Sequence, residues 1–200
     1  MADKEKAFNV LQDVFEKGTD FKLDGEEEIN RCIDHIIRLL KDAYLLFEAG
    51  SYPSSAFMSI AAMEETGKSD ISIFAKILKL DQKTRRDPLR DHKGKQIVSA
   101  MPSVGMGARL IEALGQERID ELYALTYSGG LKNLREDALY WDVKDGAAIF
   151  PEQRVDEVLA RDLLLFSIET FDDRLVGLTN YSIEASYETD AMFKSVAKME

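Results

Sequence analysis

Two long stretches of helical periodicity, separated by almost no chain, constrain this sequence more than any other feature. In "DGEEEINRCIDHIIRLLKDAYLLFEAG", residues Ile29, Cys32, Ile33, Ile36, Leu40, Ala43 and Phe47 recur at helical spacing and mark one apolar face. Acidic residues fill the first turn and Gly50 stops the helix. Pro53 then suits the first turn of a second helix, with serines nearby as caps. That helix is expected to run to about Leu80, with Phe57, Ile60, Ala61, Ile71, Ala75 and Leu78 on one side. A connection as short as Ser51-Tyr52 forces antiparallel neighbours, so the two helices form a hairpin.

The rest of the chain reads as helix after helix. A first helix occupies residues 2–17 and ends near Gly18, and a weaker one covers residues near 95–100 until "MPSVGMG" breaks it. Residues 107–127 read as one helix, and Gly129-Gly130 interrupts before "LKNLREDALYWD". The segment "WDVKDGAAIF" is the longest non-helical connection; Pro151 then opens a long helix to about Ser186, with a short one closing the chain. No strand pair, internal repeat or low-complexity linker is expected. The fold class predicted is all-α: a helical bundle built on a long antiparallel hairpin. One domain is expected over residues 1–200, with a core at about 25–142 and C-terminal helices at 151–198.

No apolar run approaches the roughly 20 residues that a bilayer requires, and "MADKEKAFNV" has no secretory h-region. A cytoplasmic protein without membrane association is therefore expected. Cys32 is the single cysteine, which rules out an internal disulfide and suits a reducing compartment. With Cys32, His35 and His92 as the only cysteine and histidines, a structural zinc site is not expected, and no other metal or cofactor is. His35 falls at the edge of its helix's apolar face and reads as structural.

The net charge of −11 argues against a body coated in basic surface for nucleic acid. Lys79 to Lys95, "KLDQKTRRDPLRDHKGK", runs the other way, with seven Lys/Arg against three Asp. A basic loop on an acidic body can grip a few phosphates, or simply be a solvated connector.

Gly67-Lys68-Ser69 has the form of a P-loop's tail, but the glycine that motif needs five residues earlier is Ala62, and no strand precedes it. On a helical wheel, Glu64 and Lys68 each fall within about 20° of Phe57, in the middle of the apolar stripe. Their i,i+4 spacing, acid first, favours an ion pair. A buried pair is weak for stability, so its presence points to a site or an interface, the plainer alternative being a salt bridge that fixes helix register. Gly67, in a helix interior, points to close approach by another helix. In "LKNLREDALYWD", Arg135 and Asp142 lie within about 40° of Leu131 on a second apolar face, while Tyr140 points away. A third cluster, "RDHKGK", sets His92 among Arg90, Lys93 and Lys95. A histidine beside cations suits acid–base chemistry on a phosphodiester.

Together, "KDAYLLFEAGSYPSSAFMSIAAMEETGK", "DHKGK" and "REDALYWD" resemble, in that order, the signature elements of the AbiV branch of the HEPN superfamily, from about Ile29 to Tyr140. The resemblance implies a compact helical bundle that commonly forms a homodimer, and an abortive-infection role in which an infected bacterium halts its own translation. It also implies an RNA or ribosome-associated target and a phage-encoded protein partner. Many HEPN proteins cleave RNA without metal through an Arg-x4–6-His motif; here Arg135 matches the arginine, and Tyr140 stands where the histidine is expected. Glu136, after the arginine, also departs from the usual small polar residue.

The catalytic candidates are accordingly Arg135 and Lys68 as phosphate ligands, His92 as acid or base, Glu64 to orient a cation, and Tyr140 as a hydrogen-bond donor. Glu65, Lys93, Lys95 and Asp142 are the binding candidates. The alternative is a non-catalytic interaction module in which Glu64, Lys68, Arg135 and Asp142 form an ion-pair network holding a partner.

Overall fold

A computed structural model of the chain describes residues 2–100 and 108–197, with side chains from residue 8 onward. Helix α1 spans Ala2–Lys17, α2 spans Glu26–Glu48 and α3 spans Tyr52–Ile77. A 3-10 turn at Pro88–Arg90 leads into α4, His92–Ser99. Then come α5 (Ala108–Leu114), α6 (Gln116–Ser128) and α7 (Gly130–Asp137). Strands β1 (Asp142–Lys144) and β2 (Ala147–Ile149) follow, then a 3-10 turn at Pro151–Gln153, α8 (Glu157–Leu175) and α9 (Asn180–Ala197). The fold is all-α, as the periodicity predicts.

The hairpin of α2 and α3 is its frame. Ile33, Ile36, Leu40 and Ala43 on α2 are buried against Ala56, Ile60 and Met63 on α3. Ser55 ties the two helices by donating to the Ala43 carbonyl at 2.8 Å. Helix α8 packs against both, and every residue from Asp162 to Phe171 is buried, the pattern of a helix enclosed on all sides. Helix α9 covers α2 and α8.

Several boundaries differ from the sequence reading. The single helix expected over 107–127 is two, divided at Gly115, and the long helix expected from Pro151 to Ser186 is divided around Gly177. The closing helix is not short but 18 residues long. Helix α4 starts at His92 rather than near residue 95, because the Asp91 side chain accepts from the Gly94 N–H and caps it. Leu78 lies past the end of α3 and is exposed, so it does not join the buried stripe. A strand pair does occur: β1 and β2 form an antiparallel hairpin turning at Asp145-Gly146, both with positive φ. That Asp-Gly pair is the signal for a tight hairpin turn. The "MPSVGMG" break falls at residues 101–107, outside those described.

At the far end of α8, the Arg109 guanidinium meets Glu169 at 2.5 Å as well as Asp172 and Asp190, and lies over the Phe193 ring. This knot joins α5, α8 and α9. Burial pushes the Asp172 carboxyl up to about 7; Asp190 and Glu169 add to the rise against the pull of Arg109.

Candidate functional site

Gly67 sets the geometry. A Cβ there would lie 2.3 Å from the Lys95 carbonyl oxygen and 3.0 Å from the Ser99 nitrogen, so α4 rests directly on the α3 backbone. The close helix approach expected of this glycine is what the structure contains. From α4, residues His92, Lys95 and Gln96 project on one face, as i, i+3 and i+4 positions do. They meet Glu64, one turn before Gly67 on α3.

Glu64 is 4% exposed, and four side chains gather on its carboxylate. His92 Nδ1 lies 2.7 Å from Oε2 and Gln96 Nε2 donates to Oε1 at 2.8 Å. Lys95 Nζ is 3.6 Å from Oε2, and Arg135 Nε, from α7, is 3.7 Å from Oε1. Arg135 also lies over the Phe57 ring, with 4.9 Å from its guanidinium carbon to the ring centre. Two residues on one face of α3 therefore hold one arginine, Phe57 by its ring and Glu64 by its charge.

Facing an amide donor and two cations, the carboxylate serves as acceptor, so the His92 ring places its proton on Nδ1. In the neutral ring Nε2 then carries the lone pair, and no described residue bonds it. The His92 side chain is 40% exposed. An acid that fixes the tautomer of a partly exposed imidazole is the arrangement of a general base. Arg135 Nε is buried and finds no hydrogen-bond partner among the described residues, and the buried Oε1 of Gln96 is also unpartnered there. The arginine's fork is thus held in place but not saturated.

Glu64, His92, Lys95 and Arg135 converge, as candidates drawn from three separate stretches. Others do not join them. Lys68 pairs with Glu65, not with Glu64 as the i,i+4 spacing suggests, because Glu64 turns inward to α4 while Lys68 lies one turn on, over the Phe21 ring. Asp142 does not share a face with Arg135: α7 ends at Asp137, so the wheel stops applying, and Asp142 is an exposed residue of β1 that lies 3.8 Å from Arg154. Tyr140 follows the helix end and is 66% exposed. The stem of Lys93 rests on Gly129, between α6 and α7. His35 is exposed on α2.

Gln96 and Phe57 join the site without having been sequence candidates for it. Recognising Asp91 as an N-cap would have set His92, Lys95 and Gln96 on one helical face. Nothing in the sequence marks Phe57 as the seat of an arginine from α7. Among the described residues, no group of three His, Cys, Asp or Glu is placed to hold a metal ion. None of the helices described is long and apolar enough to cross a membrane.

The all-α bundle built on this helical hairpin is consistent with a HEPN-like fold. A family model described as AbiV, of the HEPN group, matches residues 26–169. The chain belongs to the AbiV family, and its class of role is abortive-infection-type defence. No curated protein and no solved structure matches it.

Proposed function

We propose that this protein is an abortive-infection effector that arrests growth by binding and cleaving RNA at the Glu64–His92 site. The observation that carries the reading is the 2.7 Å contact of His92 Nδ1 with a buried carboxylate that also faces Arg135 and Lys95. His92 Nε2 takes the proton of a ribose 2′-hydroxyl, and that oxygen attacks the adjacent phosphorus. The bond from phosphorus to the 5′-oxygen breaks, leaving a 2′,3′-cyclic phosphate and a 5′-hydroxyl that takes its proton from water. Arg135 and Lys95 hold the non-bridging oxygens as charge develops on them. His92 supplies the base that the position of Tyr140 lacks.

The test expresses the chain in bacteria beside His92→Ala, Arg135→Ala and Glu64→Ala variants, following growth and RNA integrity together. Wild type arrests growth with RNA ending in cyclic phosphate, and each variant relieves both effects. Arrest with intact RNA would refute cleavage.

One observation favours a second reading, a module that binds a phage or host protein, or a second copy of itself. Leu139, Tyr140, Trp141, Val143 and Phe150 are all exposed on and beside the β-hairpin that follows α7. In that case Trp141→Ser relieves arrest while the His92→Ala variant still arrests.

A further inference from the structure

The basic stretch before α4 is not absorbed by the site. Its three acids are all occupied internally. Asp81 pairs with Lys22; Asp87 is buried and accepts from Thr19, the Asp20 N–H and the Leu89 N–H; Asp91 caps α4. Its exposed cations, Lys79, Lys83, Arg85, Arg86 and Arg90, are not. Lys83, Arg85 and Arg86 are exposed and form no ion pair within 4 Å among the described residues, although Lys83 helps Lys22 to hold the Asp81 carboxyl down. On a chain of net charge −11, acidic partners for these three were abundant.

The loop is also held in shape. The Lys83 N–H donates to the Lys17 carbonyl at 2.7 Å, Gln82 donates to the Thr84 carbonyl at 2.6 Å, and Thr84 donates to the Arg86 carbonyl at 3.0 Å. Further on, Arg90 and Lys68 both lie over the Phe21 ring, at 5.2 and 5.5 Å. This cationic cluster joins the 3-10 turn to α3, the helix that carries Glu64.

We infer that Lys83, Arg85 and Arg86 form a phosphate-binding ridge that holds single-stranded RNA beside the His92 site. This rests on the reading that the site acts on RNA. The ridge binds backbone charge without reading bases, and the acidic remainder of the surface repels RNA elsewhere, which steers a strand to the site. An acidic protein would satisfy the same charges. RNA is favoured because the loop leads through the 3-10 turn at Pro88–Arg90 into α4, the helix that carries His92 and Lys95.

The experiment uses the full chain carrying His92→Ala, so that bound RNA stays whole, and a fluorescent RNA of roughly 20 nucleotides. Anisotropy gives affinity as a function of salt, with and without Lys83→Glu, Arg85→Glu and Arg86→Glu together. The triple variant is expected to bind about tenfold or more weakly, with a log–log salt slope shallower by about 2, near 0.7 for each phosphate no longer neutralised. A second triple variant to Gln gives a smaller loss with the same change of slope, and matching melting curves confirm the fold of both. Equal affinity and slope in the triple variants overturn the ridge and leave the His92 reading standing. Poly-glutamate bound as tightly as RNA, and released by the same substitutions, assigns the ridge to an acidic protein and overturns RNA as its ligand. Absence of RNA binding in every form overturns the ridge and the function it rests on.

Discussion

Gly67→Ala separates two opposed effects whose sizes follow from the structure. Alanine in a helix interior is worth about 1 kcal/mol over glycine, so an unobstructed site would gain stability. Here the new methyl carbon would stand 2.3 Å from the Lys95 carbonyl oxygen, a backbone atom that cannot rotate away. Restoring an ordinary contact moves α4 by about 1 Å, and overpacking of this kind costs about 1–3 kcal/mol. Ile97 and Val98 ride on α4 and are buried, so the shift also opens space beneath them. The net expectation is a loss of about 1–2 kcal/mol, a fall in melting temperature of about 2–8 °C in a chain of this length. Gly94→Ala is the control, because its Cβ meets only side-chain atoms, at 3.4 Å or more, and is expected to be neutral or stabilising. Thermal and urea unfolding of the two variants measure the difference, and growth assays report whether His92 and Glu64 still meet. A Gly67→Ala protein as stable as wild type, with arrest intact, would refute the idea that this glycine sets the spacing of the site.

Other expectations concern single side chains. The folded-state pKa of Asp172, about 7, lies above its unfolded value, so the folded form holds the extra proton between about pH 4 and 7. Stability from this group therefore falls as pH rises through that window; urea midpoints should show Asp172→Asn matching wild type near pH 4 and exceeding it near pH 8. Arg135→Lys keeps the charge but loses the planar fork over Phe57, and arrest in the growth assay should fall at least about tenfold. Tyr140→Phe removes only an exposed hydroxyl beyond the end of α7 and should leave both melting temperature and growth arrest unchanged. Glu64→Gln keeps the shape but no longer fixes the His92 tautomer, so arrest should be lost while circular dichroism stays that of wild type.

The hairpin is legible in the sequence because its signals are local: a period near 3.6, a glycine stop and a proline start within a few residues. The charge on its inner stripe is legible for the same reason, since Glu64 stands out only against the apolar residues around it. Lys68 is misplaced by that reading because a wheel gives direction but not reach. Its long stem carries the ammonium to Glu65 and to Phe21, and Glu64 is claimed by another helix. Asp142 is misplaced because the wheel does not hold past the end of α7, where the chain enters a strand. The contact between Arg135 and Glu64 joins α7 to α3, with three helices between them in the chain. No local pattern encodes it, and only the order of the family's motifs hints at it.

Arg109 and Arg135 both meet buried acid, and the difference between them separates structure from chemistry. Arg109 is saturated: three carboxylates and the Phe193 ring take its charge and its donors, and one of those carboxyls is pushed up to about 7. Each of its three nitrogens already donates to a carboxylate, and its knot acts to fasten three helices. Arg135 meets one carboxylate oxygen at 3.7 Å, with its Nε unbonded and its plane resting on Phe57. Leaving a buried donor unmet costs on the order of 1–3 kcal/mol. The same carboxylate holds His92 beside it, so an anion bound at the arginine would lie beside that ring. Stability alone would favour apolar residues at Glu64, Lys95 and Arg135; their charge makes sense when a third, anionic party completes the cluster.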